Sequence, residues 1–141
     1  MKNLKYWLYP GSNGIRIDLV LLLLRILCGG LLLTHGYMKM NKIIKGDLSF
    51  ADPLGIGESI SLFLTVFAEF ICSILVVLGL FTRLACIPII ITMLVAIMIV
   101  HNAGTLSEKE LAILYLIIFY SIYLSGPGKF SFDHNFFGTD K

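Results

Sequence analysis

Four apolar runs, each about as long as a bilayer is thick, alternate with short polar segments along the chain. The first, residues 19–38, is interrupted by Arg25 near its middle and closes on Thr34-His35-Gly36-Tyr37, with Lys39 just beyond. The second, 60–80, has 21 residues, roughly 31 Å at 1.5 Å per residue, and carries Glu69 near its centre. Gly79 can end that helix and Thr82 can cap the third run, 84–100, so that the two form an antiparallel hairpin. Pro88 falls in the first turns of the third run, where neighbouring groups can satisfy the freed carbonyl. Ser107 followed by Glu110 reads as a capping box that opens a fourth helix over 108–124, which stops at Gly126-Pro127-Gly128. The pattern predicts an all-α, polytopic membrane protein: a four-helix transmembrane bundle.

Residues 1–18 are mixed and aromatic (Tyr6, Trp7, Tyr9), with breaks at Pro10-Gly11 and Asn13-Gly14, and read as an interfacial segment. Residues 126–141 alternate Phe130, Phe132, Phe136 and Phe137 with polar residues, as an interfacial tail would. The loop 40–57, with Asp52-Pro53 and three glycines, is the longest connection and is expected to bend back over the helices. The first run has a charge in its middle and no small-residue cleavage pattern, so it reads as a retained span. Four spans put both termini on one side. Six Lys and Arg fall on that side (Lys2, Lys5, Arg16, Arg83, Lys129, Lys141) and four on the other (Lys39, Lys42, Lys45, Lys109), which favours cytoplasmic termini.

Composition narrows the function. Of 141 residues 57% are apolar and 14% charged, against about 25% charged in an ordinary soluble domain, which excludes a soluble globule. The four spans use roughly 80 residues, too many to leave room for a second, water-soluble domain. The net charge is +2 and the basic residues are scattered. Membrane lipid, not nucleic acid, is therefore the expected partner. Cys28, Cys72 and Cys86 lie in apolar runs without a C-x-x-C pair, so they read as reduced, small hydrophobes. No phosphate-cradling loop, nucleophile elbow, H-E-x-x-H or haem-attachment motif is present, and hydrolase, nucleotidase and soluble redox chemistry have no motif to rest on.

The residues that could carry chemistry are those in costly places. An ionisable group at mid-bilayer requires a partner or a polar cavity, and Arg25 and Glu69 have opposite signs. Counted from the same side, they lie about 12 Å and ~16 Å deep, a gap that an arginine side chain closes, so the two are expected to pair. Such a pair could fix helix register, or it could mark a polar site that binds a ligand or relays protons. Arg25, Gly29, Leu32, Gly36 and Lys39 follow at spacings of four, three, four and three. They form one stripe that should face the other helices, its glycines admitting either a neighbouring backbone or a flat ligand. His35 lies beside the stripe, and His101-Asn102 ends the third run at a similar depth, so the two imidazoles could meet at an outer polar rim. Their separation of 66 residues has no metal-site signature, and no metal is expected. His134 belongs to the opposite end. Tyr115, Tyr120 and Tyr123 read as belt and core positions.

The run Arg25-x-x-x-Gly29 with His35-Gly36-x-x-Lys39, then Glu69, Gly79-Leu80-x-Thr82-Arg83-x-Ala85, Met93-x-x-Ala96 and Gly126-Pro127-Gly128-Lys129-x-Ser131-x-Asp133, resembles the DoxX family of small four-helix membrane proteins. The resemblance implies a bundle in the bacterial inner membrane and ties the chain to a family named for subunits of a quinone-linked thiosulfate-oxidising enzyme. Thr82, Arg83, Gly126, Gly128, Ser131 and Asp133 would be its motif loops. On this footing the leading expectation is a membrane subunit of a quinone-linked or thiol-stress redox system. Arg25, Glu69, His35 and Lys39, with Gly29 and Gly36, would surround a quinone headgroup or a small anion. The other classes are a non-catalytic assembly factor or scaffold whose glycine stripe docks a membrane partner or a second copy, and a small solute or proton transporter.

Overall fold

The computed structural model describes residues 14–138. Every regular element among them is helical: α1 Gly14–Ile44, α2 Glu58–Leu78, α3 Thr82–Val100, α4 Leu106–Ser125 and the short α5 Phe132–Phe137. Three helices, α1, α2 and α3, are long and apolar enough to cross a membrane. The fourth, α4, has 20 residues but carries Glu108, Lys109 and Glu110 in its first turns.

At 31 residues α1 is about 46 Å long, well beyond the ~30 Å hydrocarbon core. Within the described residues it runs from Gly14, so residues 14–18 of the expected interfacial segment are helical. The remainder of that segment, 1–13, lies outside the described residues. Polar flanks still form backbone hydrogen bonds once an apolar run has nucleated the helix, which is why both ends of α1 overrun the apolar stretch. The buried residues of α1 are Leu21, Arg25, Gly29, Leu32 and Gly36, four of them members of the expected stripe. Its other faces present Leu23, Leu27 and Leu31 outward, each more than half exposed, as lipid-facing side chains are.

The helices are neighbours in chain order. α1 packs most extensively on α2, α2 on α3, and α3 on α4, which also meets α1. Gly36 sets the α1–α2 approach. A Cβ there would stand 2.6 Å from the backbone of Glu69 and Phe70, so only glycine allows this contact. Leu32, Val76, Ile89, Met93, Phe119 and Ile122 form the middle of the core. Cys72 and Cys86 are buried beside them, and all three cysteines are free thiols.

The turns explain where two expected caps are wrong. Gly79 is left-handed (φ 73°), with Gly79 N–H donating to Val76 O at 3.0 Å and Leu80 N–H to Leu75 O at 2.9 Å, the glycine-ended stop expected for α2. Thr82, however, does not cap α3. Its hydroxyl is buried without a partner, and the carboxylate of Asp133, far along the chain, accepts from Phe81 N–H at 2.7 Å and Thr82 N–H at 2.8 Å. Nor do Ser107 and Glu110 form a capping box. The chain turns earlier, where Gly104 N–H donates to His101 O at 2.9 Å, so Thr105 takes the cap position and Ser107 is already inside the first turn.

The loop before α2 does bend back. Asp52 holds it through Oδ2 to Gly57 N–H at 2.8 Å, and through Oδ1 to Ser61 Oγ at 2.9 Å and Ile56 N–H at 3.0 Å. These bonds, the Gly57 amide first, hold the Asp52 carboxyl below its ordinary value.

Candidate functional site

Helical side chains lean toward the N-terminus of their own helix. On α1 this tilts Arg25 toward the end that carries the α2–α3 turn, and tilts Lys39 down toward the middle of the molecule. Gly36, eleven residues after Arg25 and so about 16 Å along the axis, is the α1 residue level with Glu69. The lean and the level together separate the expected Arg25–Glu69 pair. Glu69 Oε2 pairs with Lys39 Nζ, whereas Arg25 Nη2 donates to the Phe130 carbonyl.

Around Lys39 and Glu69 the four long helices leave a cavity of about 170 Å³. His35 and Lys39 enter it from α1, Glu69 from α2, His101 from the end of α3, and Glu108 and Tyr115 from α4. The ion pair is built from a carboxylate side chain 7% exposed and a lysine 26% exposed, so it reaches from the packed interior toward the surface of the bundle. His35 stands edge-on to Tyr115 with ring centroids 6.3 Å apart. Met93 and Ala96 add the apolar wall.

Two departures from the α-helix border this cavity. Phe67–Cys72 in α2 and Ala96–Val100 in α3 are π-helical, the first containing Glu69 and the second leading directly into His101. His101 N–H closes the second by donating to Ala96 O at 2.9 Å. A π turn inserts a residue and so re-aims the side chains around it, and such turns gather at functional sites. Among the described residues no group of three or more His, Cys, Asp or Glu has the arrangement to hold a metal ion.

At the other end the motif loops bind one another. Beyond Asp133's cap on α3, its own N–H donates to Gly79 O at 2.8 Å. Ser131 Oγ donates to Gly128 O at 2.7 Å and accepts from His134 N–H at 3.1 Å, capping α5. Lys129 N–H donates to Asp18 Oδ1 at 3.0 Å, and Arg83 Nη2 donates to Leu124 O at 3.3 Å, beside Gly126. Arg25 lies inside this knot, 1% exposed, its guanidinium against Gly79, where any Cβ would collide with it. Its Nε and Nη1 have no hydrogen-bond partner among the described residues.

The structure thus gathers His35, Lys39 and Glu69 at one cavity and places Arg25, Thr82, Arg83, Gly126, Gly128, Ser131 and Asp133 at the opposite end. Gly29 and Gly36 serve helix contact: a Cβ on Gly29 would stand 2.7 Å from Val77 Cγ2, and Gly36 abuts the Glu69 backbone. Both are consumed by α2, which leaves the glycine stripe unavailable to a docking partner. His35 and His101 do share one cavity, and His134 is at the far end beside Asp18. Glu108 and Tyr115 were not singled out as site residues by sequence. Their signal was the spacing Glu108, Leu111, Ala112, Tyr115, one face of α4, all four of which line the cavity.

A match to the DoxX family covers residues 20–102. An uncharacterized protein of Haemophilus influenzae is 30% identical over 125 residues, covering 81% of this chain and 88% of that protein. No solved structure matches the chain at a significant level.

Proposed function

This chain belongs to the DoxX family, and from that premise we propose that it is a subunit of a quinone-linked or thiol-stress redox system in the bacterial inner membrane, with the cavity at His35, Lys39, Glu69 and His101 as its ligand site. In this reading the four long helices form the transmembrane bundle, both termini face the cytoplasm by the six-to-four excess of Lys and Arg, and the cavity lies toward the outer face. One observation carries the reading: four titratable or hydrogen-bonding side chain types converge, from four separate helices, on one space among apolar helices.

The lining fits a small planar head. Its volume of about 170 Å³ is below the ~300 Å³ at which drug-sized sites begin, so a single ring is accommodated and a long tail stays in lipid. A quinone bound there would supply two-electron, two-proton chemistry, its electrons passing to or from another subunit. Lys39 offers N–H donors to a carbonyl oxygen. Glu69 fixes the ammonium in place, which lowers the cost of keeping it in this depth. His35 and His101 offer ring nitrogens that can donate or accept a hydrogen bond, and Tyr115 can donate its O–H to a ring oxygen.

The test is mass spectrometry of lipids copurified in mild detergent, followed by thermal melting of the protein with an added short-chain benzoquinone. The expected result is bound quinone and a rise in melting temperature that Glu69→Gln and His35→Ala both abolish. An unshifted wild type, or an equal shift in the variants, would remove this reading.

A further inference from the structure

A larger cavity, about 550 Å³, opens at the end opposite the proposed ligand site, between the α2–α3 turn and the segment after α4. That is within the ordinary range of ligand sites, ~300–1,000 Å³. Its lining includes the cations Arg83 and Lys129 and the apolar side chains of Phe81, Leu84 and Phe137. These three apolar side chains are 51%, 67% and 67% exposed, and the Phe81 and Phe137 rings lie 6.2 Å apart. The cavity also contains Asp18 and Asp133, but both carboxylates are turned onto backbone. Asp133 takes the Phe81 and Thr82 amides, and Asp18 takes the Lys129 amide.

The cations are less engaged. Among the described residues Arg83 makes one hydrogen bond, 3.3 Å to Leu124 O, which leaves most of its five-donor fork open to a ligand. The Lys129 ammonium has no hydrogen bond or ion pair among the described residues. Arg83 is in the first turn of α3, where a span enters the hydrocarbon, so it lies at headgroup depth and Leu84 one residue deeper.

We propose that this cavity binds a glycerophospholipid, its phosphate held between Arg83 and Lys129 and an acyl chain laid along Phe81, Leu84 and Phe137. Charge and depth decide the ligand class. A soluble phosphate would satisfy the cations and leave the apolar wall facing water, and a wholly apolar ligand would leave the open guanidinium donors unmatched. The guanidinium fork suits a phosphodiester's paired oxygens. Such a lipid would bridge α3 to the segment that follows α4, at the place where the motif loops are knotted. This inference does not depend on what the other cavity binds.

Native mass spectrometry of the full chain in detergent, titrated with dioleoyl phosphatidylglycerol, tests it. Wild type should retain one lipid with about tenfold higher affinity than the R83Q/K129Q double variant, while K45Q, at the opposite end, behaves as wild type. Inorganic phosphate at millimolar concentration should fail to displace the lipid. Equal lipid retention in wild type and the double variant would overturn the proposal, and displacement by inorganic phosphate would overturn the lipid in favour of a soluble anion. Should the double variant melt earlier than wild type, Leu84→Asn, which leaves both cations and the knot intact, must lower lipid retention on its own for the proposal to stand.

Discussion

Arg25 and Glu69 are buried to similar extents, 1% and 6% exposed, yet their surroundings differ in kind. Arg25 is packed against backbone: the Phe130 carbonyl, Gly79, and a tail whose polar groups bond to other loops. Glu69 pairs directly with an ammonium in the wall of a cavity that two imidazoles, a second carboxylate and a phenol also line. The first arrangement spends the charge on backbone and holds the chain's far segments together. The second borders a cavity lined by further polar and ionisable side chains. Burial of a charge is therefore not enough to mark a site; what matters is whether its neighbours are backbone or other titratable side chains.

The largest expected effect separates the two ends. Arg25→Ala removes a fully buried side chain and the donor to Phe130, and should cost about 3 kcal/mol, within the 2–5 typical of large-to-alanine changes in cores. Denaturant unfolding would read the loss, and limited proteolysis should show the segment after Gly126 released. Asp133→Ala strips two amides of α3 of their cap and should cost about 1–2 kcal/mol. Loss of tail protection with α3 otherwise intact by hydrogen exchange is the accompanying sign. Glu69→Gln should cost only about 1 kcal/mol, because the lysine it abandons can reach water, yet it should remove ligand binding entirely. A variant that kept binding would move the site away from this end.

The all-helical fold and the three membrane-length helices were legible because apolar runs are local signals. The stripe from Arg25 to Gly36 was legible for the same reason: a period of 3.6 needs no knowledge of neighbours. What was not legible depended on contacts between distant segments. The pairing of Arg25 with Glu69 followed from counting depth along two axes, but the level of contact is set by Gly36 against the Glu69 backbone, and no count of residues contains it. The cap on α3 comes from Asp133, over fifty residues away, so the local candidate Thr82 was the natural but wrong choice. Tyr115, read from sequence only as a belt or core position, is in the core, and its place at the cavity depended on α4 packing against α1.

The smallest effect concerns the loop that crosses back over α2. Asp52 has its carboxyl held below the ordinary value by the Gly57, Ser61 and Ile56 bonds. A depressed folded-state pKa contributes stability that is present above the unfolded value, about 3.9, and is lost as pH falls through the folded one. Unfolding midpoints should therefore decline below about pH 4 in wild type and less steeply in Asp52→Ala.

The central claim, that Glu69 works with Lys39 and apart from Arg25, is tested most directly by two double-mutant cycles on unfolding free energy. Glu69→Gln with Lys39→Met should show a coupling of about 0.5–1 kcal/mol, whereas Glu69→Gln with Arg25→Ala should be additive within ~0.5 kcal/mol. Strong coupling between Glu69 and Arg25, with none between Glu69 and Lys39, would contradict it.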